Sequence, residues 1–117
     1  MSKGGKNQPM SKFAQTPQPP YYAVIFTTVK SDDQEGYDEM NARMFELAQQ
    51  QKGYLGIESA KGEIGISVTY WETLEDIARW KSHAEHKLAQ AKGYSTWYAA
   101  FATRVARVER DNIFERK

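Results

Sequence analysis

The apolar positions follow two alternating periods from Tyr21 onward. Residues 21–29 (Tyr-Tyr-Ala-Val-Ile-Phe-Thr-Thr-Val) are β-branched and aromatic, with apolar side chains at both odd and even positions. That predicts a strand covered on both faces. The polar stretch 31–36 reads as a turn that also supplies acids for a helix N-terminus. Tyr37, Met40, Met44, Leu47 and Ala48 then recur at helical spacing, with Asp38, Glu39, Arg43 and Glu46 off the stripe. Gly53 stands where a glycine would end that helix.

Residues 54–60 and 64–71 have strand character and flank a turn at Gly62, which predicts an antiparallel hairpin. Thr73-Leu74-Glu75-Asp76 fits a capping box at the start of a second helix. Its stripe runs Leu74, Ile77, Lys81, Ala84, Leu88 and Ala91, with Trp80 on the flank and Gly93 as the stop. A second box, Ser82-His83-Ala84-Glu85, predicts a break that sets His83 and His86 at a bend. Residues 96–109 read as a long last strand. The order β-α-β-β-α-β is the ferredoxin-like arrangement of the α+β class, with both helices on one face of a four-stranded antiparallel sheet. Three strands are apolar on both parities, so the uncovered face must meet a second subunit, a small ligand or stacked bases.

Composition changes the picture at the ends of the chain. All four Pro lie in residues 1–20, with three Lys and no acid, which predicts a flexible tail. Phe13 within it is a candidate docking residue. The domain is then 21–110, with a frayed extension at 111–117 in which Phe114 is a second candidate for docking. Leu, Ile, Val and Phe number only twenty in 117 residues, but seven Tyr and three Trp supply rings for a core. The formal charge of +1 is the sum of a basic tail and a domain of net −2. No Cys is present, which excludes disulfides and thiol chemistry. No apolar run approaches a membrane span and no signal-peptide core is found, so a cytoplasmic protein is expected.

The charge argues against nucleic acid. Placed on the RNA-recognition string K/R-G-F/Y-G/A-F-V-x-F/Y, only Val68 and Tyr70 match. His83 and His86 are three apart beside Glu85, too few ligands for a closed metal site. No nucleophile elbow and no phosphate-binding glycine loop occurs.

The strings Gly53–Ser59, Gly65–Glu72 and Leu74–His86 resemble the antibiotic biosynthesis monooxygenase family. The likeness continues through Ala89-Gln90, Gly93, Trp97-Tyr98 and Arg104–Glu109, and covers residues 21–110. The set Tyr-Trp-Glu, Trp-Lys-x-His-x-x-His and Trp-Tyr is similar to a poorly characterised branch. The resemblance implies a dimeric α+β barrel, two sheets face to face. It implies oxygenation of electron-rich aromatics by O₂ without metal or flavin. A haem-degrading branch uses an Asn in the first strand, absent here, and a haem-ligating His where Gln90 falls, so haem is possible but unsupported.

On that reading the candidate catalytic residues are His83 as base, His86 in reserve, and Arg104 as an oxyanion stabiliser or as the partner of an acid such as Glu58. Trp80, Tyr70, Trp71, Trp97, Tyr98 and Phe101 are candidate walls for a small hydrophobic or aromatic ligand. Tyr70 and Trp71 are adjacent on one strand, so they point to opposite faces. The rival function is a non-catalytic homodimer that binds a hydrophobic ligand.

Overall fold

A computed structural model describes residues 12–90 and 93–116. The elements are β1 (Tyr21–Lys30), α1 (Tyr37–Gln49), β2 (Tyr54–Ala60), β3 (Gly65–Trp71), α2 (Leu74–Gln90), α3 (Gly93–Trp97) and β4 (Tyr98–Val108). The four strands form one antiparallel sheet in the order β2-β3-β1-β4. This is the ferredoxin-like topology that the pattern predicts.

Register divides the side chains between two faces, because residues directly opposite one another share a face. Tyr22 lies opposite Trp71 and Arg107, Val24 opposite Thr69 and Val105, and Phe26 opposite Ser67 and Thr103. This is the helix side, where Trp71 stacks on Trp80 of α2. The other face carries Ala23 with Tyr70 and Ala106, Ile25 with Val68 and Arg104, and Thr27 with Ile66 and Ala102. Among the described residues no helix or strand covers most of it, and Val29 and Ile66 are 40% and 43% exposed there. The uncovered face is therefore a property of the folded chain as well as of its sequence.

The core is small and aromatic. Tyr21, Ala23, Ala48, Trp71, Ile77 and Trp97 are buried, and Trp71 is completely enclosed. The α1 stripe is placed as expected, with Ala48 buried and Asp38, Glu39, Arg43 and Glu46 exposed. Gly53 is not the helix-ending glycine: Gln50 closes α1 in the right-handed region, and Gly53 follows three residues later at φ +86°. There it passes so close to Asp76 of α2 that a Cβ would strike the carboxylate.

Three expectations for the second half of the chain are corrected. First, α2 runs without a break through Ser82, which is exposed and leaves the second capping pattern unused. Second, the inward stripe of α2 is buried at Asp76 and Ile77 and half-buried at Trp80, His83 and Ala84, while Leu74 and Lys81 face solvent. Trp80 thus moves from the flank to the centre, because the enclosed Trp71 ring below it is the larger apolar surface. Ala91 lies outside the described residues, as does the side chain of Leu88. Third, the last strand begins at Tyr98, and Gly93 opens the short helix α3 instead of ending α2. Trp97 holds that helix: its indole donates to the Glu35 carbonyl at 2.7 Å, and its own carbonyl accepts from the Ser31 amide and the Gln34 side chain.

The two ends of the chain return to the uncovered face. The Ala14 amide donates to Glu58 at 3.0 Å, Thr16 donates to the Tyr21 hydroxyl, and Tyr21 donates to Asp111 at 2.6 Å. Residues 13–16 and 111–114 thereby form a strap across one end of that face. Residues 1–11 of the expected tail lie outside the described residues.

Candidate functional site

The helix side holds two aromatic groups. In the first, Trp71 is fixed by its indole N–H, which donates to Thr69 Oγ1 at 2.9 Å, and by an edge contact from Tyr54 at 5.6 Å. Trp80 lies on it with the rings 6.1 Å apart and 24° from parallel. His83 continues the row at 5.9 Å and 31°. These three rings meet because residues 80 and 83 are one turn apart on α2. Thr73 sets where that helix starts, its hydroxyl accepting the Asp76 amide at 3.0 Å.

His83 is half-buried, and its Nε2 is a buried polar atom without a hydrogen-bond partner. Buried nitrogens are nearly always paired, and leaving one unpaired costs roughly 1–3 kcal/mol. His86, three residues on, is exposed and belongs to the outer surface of the helix.

The second group joins Trp97, Tyr98 and Phe101 with Tyr37 and Phe26. Tyr98 meets Phe26 at 5.6 Å and Tyr37 at 6.2 Å, and Tyr37 meets Trp97 at 5.8 Å. Phe101 packs on Phe26 and Tyr98. Tyr37, Phe26 and Tyr54 were missing from the candidates named in the sequence. Tyr37 was legible as a member of the α1 stripe, whereas the roles of Phe26 and Tyr54 depend on strand register.

Tyr70 and Arg104 do not join either group, because they stand on the uncovered face. Tyr70 donates to Glu58 at 2.7 Å, beside a cavity of about 450 Å³ that the strap closes with Phe13, Thr16, Asp111 and Phe114. Burial pushes the Tyr70 phenol up to about 12, and the hydrogen bond and negative charge of Glu58 add to it. Burial, followed by the bond to Asp111, raises Tyr21 as well. Arg104 corrects an expectation: it is exposed, and Glu58 stands at the opposite edge of the sheet. Among the described residues the ion pairs are Arg43–Glu46, Arg79–Asp76 and Lys81–Glu85, all within helices. The Gln90 side chain lies outside the described residues.

Comparisons with known proteins agree with this fold. The uncharacterized protein YqjZ of Bacillus subtilis (strain 168) is 46% identical over 108 residues, which span 91% of this chain and 95% of that protein. The fold matches the crystal structure of a mutant of SnoaB, a cofactor-independent oxygenase from Streptomyces nogalater, with a TM-score of 0.65 at 8% identity, over 81% of this chain and 98% of that one. It also matches PA3566 from Pseudomonas aeruginosa, with a TM-score of 0.61 at 12% identity, over 83% and 100% of the two chains. Residues 20–92, well over half the sequence, fit the description antibiotic biosynthesis monooxygenase, and the chain belongs to that family.

Proposed function

We propose that this protein is a cofactor-independent, cytoplasmic monooxygenase that works as a homodimer. It oxidises a small aromatic or quinol-like compound with O₂ on the helix side of the sheet. One observation carries the reading: the unpartnered Nε2 of His83 ends a row of stacked rings with Trp80 and Trp71. Half-buried Trp80, backed by the enclosed Trp71, offers a flat apolar surface for an aromatic ring. With its proton on Nδ1, His83 accepts the hydrogen of a phenol or enol at Nε2.

The resulting anion is electron-rich enough to pass an electron to O₂, so the protein supplies a base, orientation and a surface that excludes water. For an anthrone-type methylene, one oxygen atom remains on carbon as the carbonyl. The two C–H hydrogens leave with the other oxygen atom as water. The group of Tyr37, Trp97, Tyr98 and Phe101 forms a second aromatic wall. SnoaB, which shares the fold and is described as a cofactor-independent oxygenase, supports this chemistry.

The test is O₂ uptake with a panel of anthrones and quinols, without added metal or flavin. Wild type consumes O₂ with at least one of them. His83→Ala lowers the rate about 100-fold or more, the usual worth of a positioned base. His86→Ala, altering an exposed ring, stays within about twofold. Equal rates for wild type and His83→Ala would remove the assigned base. No uptake across the panel would leave a ligand-binding barrel.

A further inference from the structure

The strap of residues 13–16 and 111–114 encloses a cavity of about 450 Å³ at one end of the sheet face turned away from His83. That volume lies in the range of small-molecule sites, and the oxygenase chemistry makes no use of it. Close packing seats the strap. Gly56 of β2 has no side chain where Ala14 crosses it, and a Cβ there would come within 2.6 Å of the Ala14 Cβ. The Ala14 amide donates to Glu58, and Thr16 donates to the Tyr21 hydroxyl, which in turn donates to Asp111.

Apart from the Asn112 amide, the polar side chains lining the cavity offer only acceptors. The hydroxyl hydrogens of Thr16, Tyr21 and Tyr70 are all committed to oxygens of the lining. Glu58 and Asp111 accept from neutral groups and belong to none of the ion pairs among the described residues. No Lys, Arg or His is among the described residues that line the cavity; Lys12 and Arg110, next to the strap in sequence, stay outside it. The phenols that hold the two carboxylates meet edge to face at 5.8 Å, so both negative charges are drawn to one cavity. Burial, then the bond to Asp111, raises the Tyr21 phenol, and the charges of both carboxylates add to it. Two like charges held together favour whatever brings positive charge between them.

A metal ion does not fit that demand. Among the described residues no three acidic or histidine side chains converge, whereas hard cations take six or more oxygens. The remaining lining suits an organic body instead. Phe13, Tyr21, Tyr70 and Phe114 supply ring faces for a cation, and Phe13 and Phe114, 50% and 75% exposed, stand at the mouth. We propose that the strap cavity is a second ligand site that takes a primary amine in its ammonium form, with the N–H donors on Glu58 and Asp111 and an apolar body against Phe13 and Phe114. It lies across the sheet from the His83 row, so it stands or falls independently of the oxygenase reading.

Calorimetric titration of the full chain at pH 7 with 2-phenylethylamine tests the site, with 2-phenylethanol and phenylacetate as neutral and anionic counterparts. The amine binds with a dissociation constant of roughly 1 mM or tighter, the alcohol at least about 10-fold more weakly, and phenylacetate gives no heat. In NMR spectra the Ala14 amide shifts with the same constant. Glu58→Gln, which still accepts from Tyr70, weakens the amine about 10-fold. Gly56→Ala displaces the strap while leaving both carboxylates in place, and weakens it by a similar factor. Circular dichroism checks that both variants fold; if either does not, the amine–alcohol comparison and the Ala14 shift in wild type decide alone. Equal affinity for amine and alcohol, an unmoved Ala14 amide, or no amine binding at millimolar concentration would overturn the proposal. So would undiminished amine binding in the two folded variants.

Discussion

Asp76 shows how one carboxylate joins several parts of the fold. It is 3% exposed, its amide caps onto Thr73, and its Oδ1 accepts from Arg79 at 2.9 Å. The Arg79 hydrogen bond is the main reason its carboxyl is held below the ordinary value of 3.8; burial opposes that effect and Thr73 adds to it. A carboxyl with a lowered folded-state value contributes fully above its unfolded value, and the contribution disappears as pH falls through the folded one. Asp76→Asn should therefore unfold more easily than wild type at pH 7. The expected loss is about 1 kcal/mol, discounted because Arg79 is half exposed. The difference should close as the pH is taken below 4 in urea titrations. A gap that stays constant down to pH 2 would mean that the carboxylate charge is not involved.

At the scale of elements, α2 determines which face His83 presents, so its continuity through Ser82 matters. If the helix broke there, the Ser82 hydroxyl would be a cap, and Ser82→Ala would cost about 1 kcal/mol. In the unbroken, exposed helix the same change should stabilise by about 0.5 kcal/mol, because alanine is the better interior residue. Thr73→Ala, at the cap that is used, should cost about 1 kcal/mol. Thermal melts of the pair separate the two situations. The sequence announced both boxes alike, because local spacing cannot say which hydroxyl will face solvent. For the same reason, Trp80 was legible as a candidate but its stacking on Trp71 was not. Alternation on β3 sent Tyr70 and Trp71 to opposite faces without any knowledge of register. The pairing of Arg104 with Ile25, and of that row with Glu58, is set by register alone, so the sequence could suggest the ion pair but not that its two ends lie at opposite edges. The short helix α3 was hidden in a strand-like run because Trp97 is held by the loop before α1, a contact more than sixty residues distant in sequence.

The whole molecule has more apolar sheet than its own helices cover, and Ile66 provides a probe of what covers the rest. In the single chain Ile66 is 43% exposed on the uncovered face, so an aspartate there is hydrated and costs the monomer no more than about 1 kcal/mol of strand preference. Between two sheets the same carboxylate is buried without a partner, which costs several kcal/mol. Ile66→Asp should therefore raise the dimer dissociation constant at least about 100-fold and bring the sedimentation mass down towards one 13.4 kDa chain. Its melting temperature should also lose the dependence on protein concentration that a wild-type dimer shows by mass action. Ile64→Asp is the control, because Ile64 is 54% exposed but precedes β3 in the turn and lies outside the paired strands. It should leave the wild-type mass unchanged. The two substitutions introduce the same charge two residues apart, at sites of similar exposure in the monomer. Equal behaviour of the two variants would show that the open sheet face is not where the subunits meet.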